Sequence, residues 1–533
     1  MITTRTPASF LSSLAILATV ALLALGCSSN PQPAQPAGSA ATTSAPAASG
    51  APATPAQPKT ADKLTIALSS DINTLDPHQT ASVGTDLSVI SHIYTSLVLR
   101  GPDLKLQPSL ATSWKAVDDT TWEFKLRSDV TFPDGEKLDA AAVKWNIDRV
   151  LNPDTKARIK SWFDPVQEAK VVDATTLDII TKSPYPALAD QLSMFFLLPP
   201  RWAAENNPAS KTMGSGPYTL KEWVKDDHIT LELKDNYWGT KPAFKTVVFR
   251  PVPENSSRVA GLLAGDFDIA MGIPPNDFDR INSSGRAKAV AIASTRNALV
   301  KFNTLKKPFD DARVRQALNY AVDKDALIKN LLSGMTEVSK GQVLSPAYFG
   351  YNPDLQPYPY DPATAKQLLA EAGYADGMDV EFDVPTGTYL LGEQITQAIA
   401  EQLRQVGVRA KITEMPFSVY MDKYLKDRNL ANMAYITMAW PTLDADGLLS
   451  LWEMGNQYAY WDNPDFAALL KKARSTTNQA QRLDLYKQAT ALMRDQAPVI
   501  FLFQQPATFA ERNTVEWKGR PDDWVRAWDM QPK

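Results

Sequence analysis

Side chains that do covalent chemistry are scarce in this sequence. It has one cysteine, Cys27, and three histidines, His78, His92 and His228. A zinc-type site needs several His, Cys or acidic ligands at short, regular spacings, and these histidines do not have them. A nucleophile needs a base beside it, and no Gly-x-Ser-x-Gly elbow is present. Neither the phosphate loop Gly-x4-Gly-Lys-Ser/Thr nor the dinucleotide loop Gly-x-Gly-x-x-Gly occurs. The paired acids Asp226-Asp227 and Asp522-Asp523 read as residues of turns or of the solvent-facing surface. What remains is the chemistry of reversible recognition. Trp440, Asp444 and Asp446 lie together in the segment Tyr435 to Trp452, and Tyr458, Tyr460 and Trp461 follow it. Aromatic faces supply contact area and stack on cations. Carboxylates pair with ammonium groups. Each group also has a plainer reading: Asp444 and Asp446 as helix caps, Trp440 as core, and the Tyr458 cluster as packing under a loop. The sequence points to binding without turnover, with no cofactor and no metal site.

The whole chain sets the frame for these residues. It has 533 residues, 44% hydrophobic and 21% charged, which is long enough for more than one core. A formal net charge of −4 gives no basis for binding nucleic acid or an anionic membrane surface. A single cysteine excludes an internal disulfide framework. Residues 1–26 read as a secretion signal, with Arg5 ahead of the apolar run Phe10 to Leu25. That run is short for a membrane span of roughly 20 residues. It ends in Leu-Ala-Leu-Gly-Cys, which resembles the bacterial lipobox and implies a lipid on Cys27. The plainer reading is cleavage nearby and a free thiol. Lipid chains hold a protein at a surface without spanning it. Residues 27–61 are rich in Ala, Pro, Ser and Thr and read as a disordered tether.

The elements that must position the recognition residues begin near Lys63. Leu64 to Leu68 predicts a strand, and Asp139 predicts the cap of a helix bearing Val143, Ile147 and Val150. Gly214-Ser215-Gly216-Pro217 predicts a turn, followed by a β-hairpin through Tyr218, Leu220 and Trp223, then Ile229, Leu231 and Leu233. From Leu299 the pattern becomes β-α-β. Asp310 or Asp311 caps a helix, Asp361-Pro362 opens another, and Gly373 closes it. A helix from Glu393 to Val406 ends at Gly407, between the strands Val380 to Val384 and Val408 to Thr413. This alternation predicts a second α/β lobe with its own sheet.

The segment Met213 to Gly239 also resembles the motif of solute-binding protein family 5, the dipeptide, oligopeptide and nickel binding proteins of ABC importers. The family pattern Gly-Thr-Gly-Pro-Tyr, then Trp, then Tyr-Trp-Gly is met here by Gly214 to Tyr218, Trp223 and Tyr237 to Gly239, with Ser215 in place of Thr. Leu75-Asp76-Pro77-His78 and the set Arg258, Leu262, Gly265, Asp268 and Ile269 match further family elements. The resemblance runs from about Lys63 to Met530.

The resemblance implies an α/β, two-lobed periplasmic-binding-protein fold of type II, peptide-binding-protein-like, with an extra subdomain in the first lobe. Lobe I would cover 62–298, lobe II 299–502, and 503–533 would return to lobe I. The crossovers fall near Asn297 to Leu299 and near Phe501 to Gln505, where two lobes can hinge around a ligand. The implied function is capture of a peptide or peptide-like solute and its delivery to an ABC permease with a separate ATPase. The protein would be monomeric and extracytoplasmic, held to a bacterial membrane by lipid. Nickel, metallophore, opine or sugar cargo is the alternative within the family. The implied ligand-binding residues are Trp440, Asp444, Asp446, Tyr389, Gly214, Ser215 and Tyr458. Thr388 stands where many members carry an arginine that captures a carboxylate, so a free peptide C-terminus would lack that partner here.

Overall fold

Two long strands, Ala287–Phe302 and Val499–Arg512, run antiparallel along each other and through both halves of the molecule. The computed structural model describes residues 61–80 and 84–533. The signal, Cys27 and the tether before residue 61 lie outside the described residues. The burial of the first long strand changes along its length. It alternates near Ala287 to Ala289 and becomes continuous from Asn297 to Phe302. A strand with one wet face alternates, and a strand covered on both faces does not.

The long strands share one ten-stranded sheet. On one side of the pair lie Met433–Met438, Met378–Thr386 and Val408–Pro416. On the other lie Ile269–Met271, Ala61–Leu68, Phe244–Pro251, His228–Leu233 and Tyr218–Val224. The predicted separate second sheet is therefore corrected: both lobes share one hydrogen-bonded ladder, because the strands that cross between lobes pair with each other on either side. The ladder slips at the crossing. Ala293 faces Pro506 and Asn297 faces Gln504, so Ser294, Thr295 and Arg296 stand opposite Gln505 alone. Such a bulge bends and twists a strand pair. One side-chain and one main-chain bond pin it: Ser294 Oγ donates to Gln505 O at 2.6 Å, and Thr295 N donates to Pro521 O at 2.8 Å.

The predicted hairpin is present, and Asp226 takes φ 61° at its turn. A second sheet of four strands, Ala111–Ala116, Thr121–Leu126, Thr176–Thr181 and Val166–Asp173, forms an inserted subdomain of the first lobe. The helix Ala140–Leu151 packs on it, and Asp139 accepts from Ala141 N and Ala142 N at its start. In the second lobe, Asp311 caps Ala312–Ala321 and Asp361 caps Pro362–Glu371. The helix Gly392–Arg404 buries Ile395, Ile399 and Leu403 against the sheet, and Gly407 follows with φ 88°. No helix among the described residues is long and apolar enough to cross a membrane.

Candidate ligand-binding cleft

The strand Met433–Met438 is buried at every position and delivers Trp440 to the lobe junction. Trp440 is held from below. Its main-chain N–H donates to the Tyr348 hydroxyl, which donates to Trp440 O at 3.1 Å. A Cβ on Gly447 would lie 2.1 Å from the Trp440 ring, so only glycine fits with the indole resting on the next helix in this orientation. Trp440 itself is half-buried.

The two nearby acids differ. Asp444 caps the short helix Ala445–Leu449 by accepting from Asp446 N at 3.0 Å. Its two oxygens also take a fork from Arg482 at 2.6 and 2.7 Å. Their side chains are 6% and 3% exposed. The Arg482 guanidinium lies 5.0 Å from the ring centres of Phe349 and Tyr486. The structure thus engages Asp444 wholly inside the second lobe. Asp446 accepts from Arg474, which also pairs with Glu453. Burial raises the Asp446 carboxyl above its usual range and Arg474 works against the rise. Tyr185, from the inserted subdomain, feels the charge of both acids across the junction.

Tyr389 is half-buried, edge-on to Phe417 and Tyr435 at ring distances of 6.1 and 5.9 Å. Burial raises its hydroxyl above the phenol range, and the charge of Arg296 opposes this. Thr388 is exposed. Tyr458 is half-buried, and its carbonyl accepts from Lys301 Nζ at 2.6 Å. Tyr460 and Trp461 are buried, so packing is their observed role.

Gly214 and Ser215 occupy a different place. They are buried in the first lobe against the end of the helix Thr85–Ile93. A Cβ on Gly214 would lie 2.2 Å from Ile93 O, and Gly216 N donates to that same oxygen at 2.9 Å. Ser215 Oγ donates to Thr95 Oγ1 at 3.1 Å, and Trp238 Nε1 donates to Ser215 O at 2.9 Å. The structure does not bring this turn together with Trp440, Tyr389 and Tyr458.

Arg100, Asp190, Arg296 and Tyr348, which the sequence did not single out, complete the junction, together with Asp523, read there as an acid of a turn or of the surface. Arg100 of the first lobe donates to Thr442 O of the second at 3.0 Å and to Asp190 at 2.7 Å. Burial raises the Asp190 carboxyl, and Arg100 opposes it. Arg296, in the bulge, faces Asp523 of the C-terminal return at 3.3 Å. Burial raises Asp523 likewise, with Arg296 opposing. Tyr348 lies within the field of Arg296, Arg100 and Asp523. An arginine inside the apolar strand Val98–Arg100 was the one sequence signal available. The junction thus combines aromatic faces with two acid–base pairs, a surface suited to holding a polar solute out of water.

The histidines lie elsewhere. His78 donates from Nε2 to Phe196 O at 3.1 Å and accepts from Arg149 at Nδ1. His92 donates from Nδ1 to Ser88 O at 2.7 Å and accepts from Ala527 N. Burial lowers both to about 3. Among the described residues no group of three His, Cys, Asp or Glu is placed to hold a metal ion.

Comparison with known proteins gives a consistent picture. Residues 105–462 match the bacterial extracellular solute-binding proteins, family 5 Middle. The chain is 32% identical over 465 residues to the glutathione-binding protein GsiB of Pectobacterium atrosepticum, covering 83% of this chain and 88% of that one. It is similar in structure to NikA from Brucella suis in complex with Fe(III)-EDTA, with a TM-score of 0.80, 26% identity, and coverage of 89% of this chain and 100% of the other. DppA from Helicobacter pylori in complex with the peptide STSA shares the fold at a TM-score of 0.78 and 23% identity, covering 89% and 98%.

Proposed function

We propose, on the premise that this chain belongs to the bacterial extracellular solute-binding proteins of family 5, that it captures a small peptide or peptide-like solute and delivers it to the permease of an ABC importer. The observation that carries the reading is the junction itself. Arg100 from the first lobe reaches Thr442 O, while Trp440, Tyr389 and Tyr458 stand half-buried on the second. Residues that reach across a junction fit a cleft that closes over its guest. In this reading the bulge at Ser294 to Arg296, with Gln505 alone opposite, serves as the hinge between lobe I (62–298) and lobe II (299–502). Family membership and the relative's glutathione ligand favour a peptide-like cargo.

In this reading Trp440, Tyr389 and Tyr458 contact the ligand, and Asp446 faces it from the second lobe. Asp444, Gly214 and Ser215 hold the walls in place. The protein is a monomeric binding component that leaves its cargo chemically unchanged. Cys27 carries the lipid that tethers it to a bacterial membrane outside the cytoplasm. Native mass spectrometry of the purified protein, followed by titration with a peptide library, tests the cargo. Retention of a peptide or peptide-like molecule supports the proposal. Binding of a sugar or a metal chelate and of no peptide refutes it.

Thr388 favours a second reading. Without an arginine at that position, an opine, a sugar or a metallophore is the rival cargo. Calorimetry with nickel, in the presence and absence of a chelator, separates the metallophore from the peptide.

A further inference from the structure

The pair Arg296–Asp523 differs from the tighter pairs Arg482–Asp444, Arg100–Asp190 and Arg149–Asp76. Arg296 Nε and Nη2 approach the same Asp523 oxygen at 3.4 and 3.3 Å, and Nη1 approaches Thr437 O at 3.4 Å. Charge-assisted bonds of this type settle at about 2.7–2.9 Å. Arg482, Arg100 and Arg149 reach that range with Asp444, Asp190 and Asp76. The side chains of Arg296 and Asp523 are 30% and 32% exposed. The other Asp523 oxygen takes no protein hydrogen bond among the described residues. The bulge places the pair at the crossing of the two lobes, where the charge of both residues is felt at Tyr348 and that of Arg296 at Tyr389. Asp523 also holds φ 62°, a left-handed backbone that aspartate tolerates better than most residues. The C-terminal turn carrying it is tied to the bulge through Thr295 N and Pro521 O. A cation and an anion are thus fixed side by side at the lobe crossing, neither saturated, both partly open to solvent.

We propose that Arg296 and Asp523 together read an α-amino acid head group of the ligand, with its carboxylate on Arg296 and its ammonium on Asp523. The inference rests on the peptide-binding reading and deepens it. The guest exchanges partners with the pair, so all four charges stay neutralised when water leaves. A head group with both charges on one carbon fits two adjacent receptors. An ordinary α-linked peptide separates its terminal charges by about 3.3–3.6 Å for each added residue. The pair therefore selects peptides joined through a side chain, such as a γ-glutamyl peptide, over α-linked ones. It also supplies the guanidinium that Thr388 does not.

The test uses calorimetric titration of the full chain with three probes: glutathione, its α-linked isomer Glu-Cys-Gly, and N-acetylglutathione. The wild type is expected to prefer glutathione over both others. Arg296→Gln and Asp523→Asn should each weaken glutathione binding about 10- to 100-fold, the loss of a charge-assisted hydrogen bond. Asp523→Asn should also abolish discrimination against the N-acetyl group. A merely structural residue would not move that ratio. Arg296→Lys should fall between the wild type and Arg296→Gln, because one point charge replaces a fork. Melting curves for each variant separate misfolding from lost recognition, and the double variant, which leaves no lone charge, covers a single variant that fails to fold. If the wild type binds both isomers equally, or the variants keep its preferences, the inference fails and the peptide reading stands. If no peptide binds but a sugar or chelate does, the peptide reading and this inference fall together.

Discussion

Arg482 and Arg296 each face an aspartate near the same cleft, and the two pairs do opposite work. Arg482 closes a fork on Asp444 inside the second lobe, between the rings of Phe349 and Tyr486. Arg296 meets Asp523 loosely at the lobe junction, with about a third of each side chain open to solvent. The first pair is scaffold: breaking it strands a buried charge. The second is available to a guest. Charge type alone does not distinguish them. What differs is whether each partner's bonding capacity is already filled.

The largest expected effect is on the scaffold pair. Asp444→Ala should destabilise the fold by about 3–5 kcal/mol, since Arg482 is left buried and unpaired. Urea unfolding monitored by circular dichroism measures it. A loss near zero would erase the contrast.

The same contrast can be pressed by pH. His78 and His92 are buried neutral groups, lowered from 6.5 to about 3. Below about pH 6.5 the unfolded chain binds protons that the folded chain refuses. Stability should therefore fall as pH drops from about 6.5 toward 3, by about 1.4 kcal/mol per pH unit for each histidine. His228, raised by Asp227 and Glu222, works in the opposite direction: its contribution is present at low pH and lost as pH rises through its folded value. Unfolding midpoints at pH 7, 5 and 4 check the net sign.

Glycine contacts give a smaller separation. Gly214→Ala drives a methyl into the Ile93 carbonyl, a backbone atom that cannot turn aside, and should cost about 1–3 kcal/mol. Gly447→Ala meets the Trp440 ring instead. The indole can tilt, so stability should change less while tryptophan fluorescence and ligand affinity shift. Equal stability losses with unchanged fluorescence would place both glycines in the scaffold.

The smallest stability effect belongs to the junction. Arg296→Gln and Asp523→Asn should each alter folding stability by at most about 1 kcal/mol, as for a loosely held, solvent-accessible pair. A loss as large as that of Asp444→Ala would move this pair into the scaffold class.

Much of the local structure was legible because it is written within a few residues. Asp139, Asp361 and Pro362 announce helix starts, since a cap needs only its own side chain and the next backbone amides. Gly373 and Gly407 announce helix ends through positive φ. The glycine turn and hairpin after Met213 were equally plain, and they carried the family resemblance. The candidate site was only partly legible. Trp440 and Tyr389 are half-buried on the second lobe, whereas Asp444, singled out by the same aromatic neighbourhood, is engaged by Arg482 from a later helix. Arg296 carried no local mark in its strand, and Asp523 read only as one of a pair of acids in a turn or at the surface.

Helix caps, turn chemistry and membership of a binding-protein family can be read from the chain alone, because each is set by short-range geometry or by ordered motifs. That both lobes share one sheet, which aspartate is saturated and which is open, and that Arg100 reaches Thr442 across the junction emerge only from the folded molecule. Those facts depend on contacts between residues far apart in the chain. A charge carries no local mark of the partner that folding will bring to it.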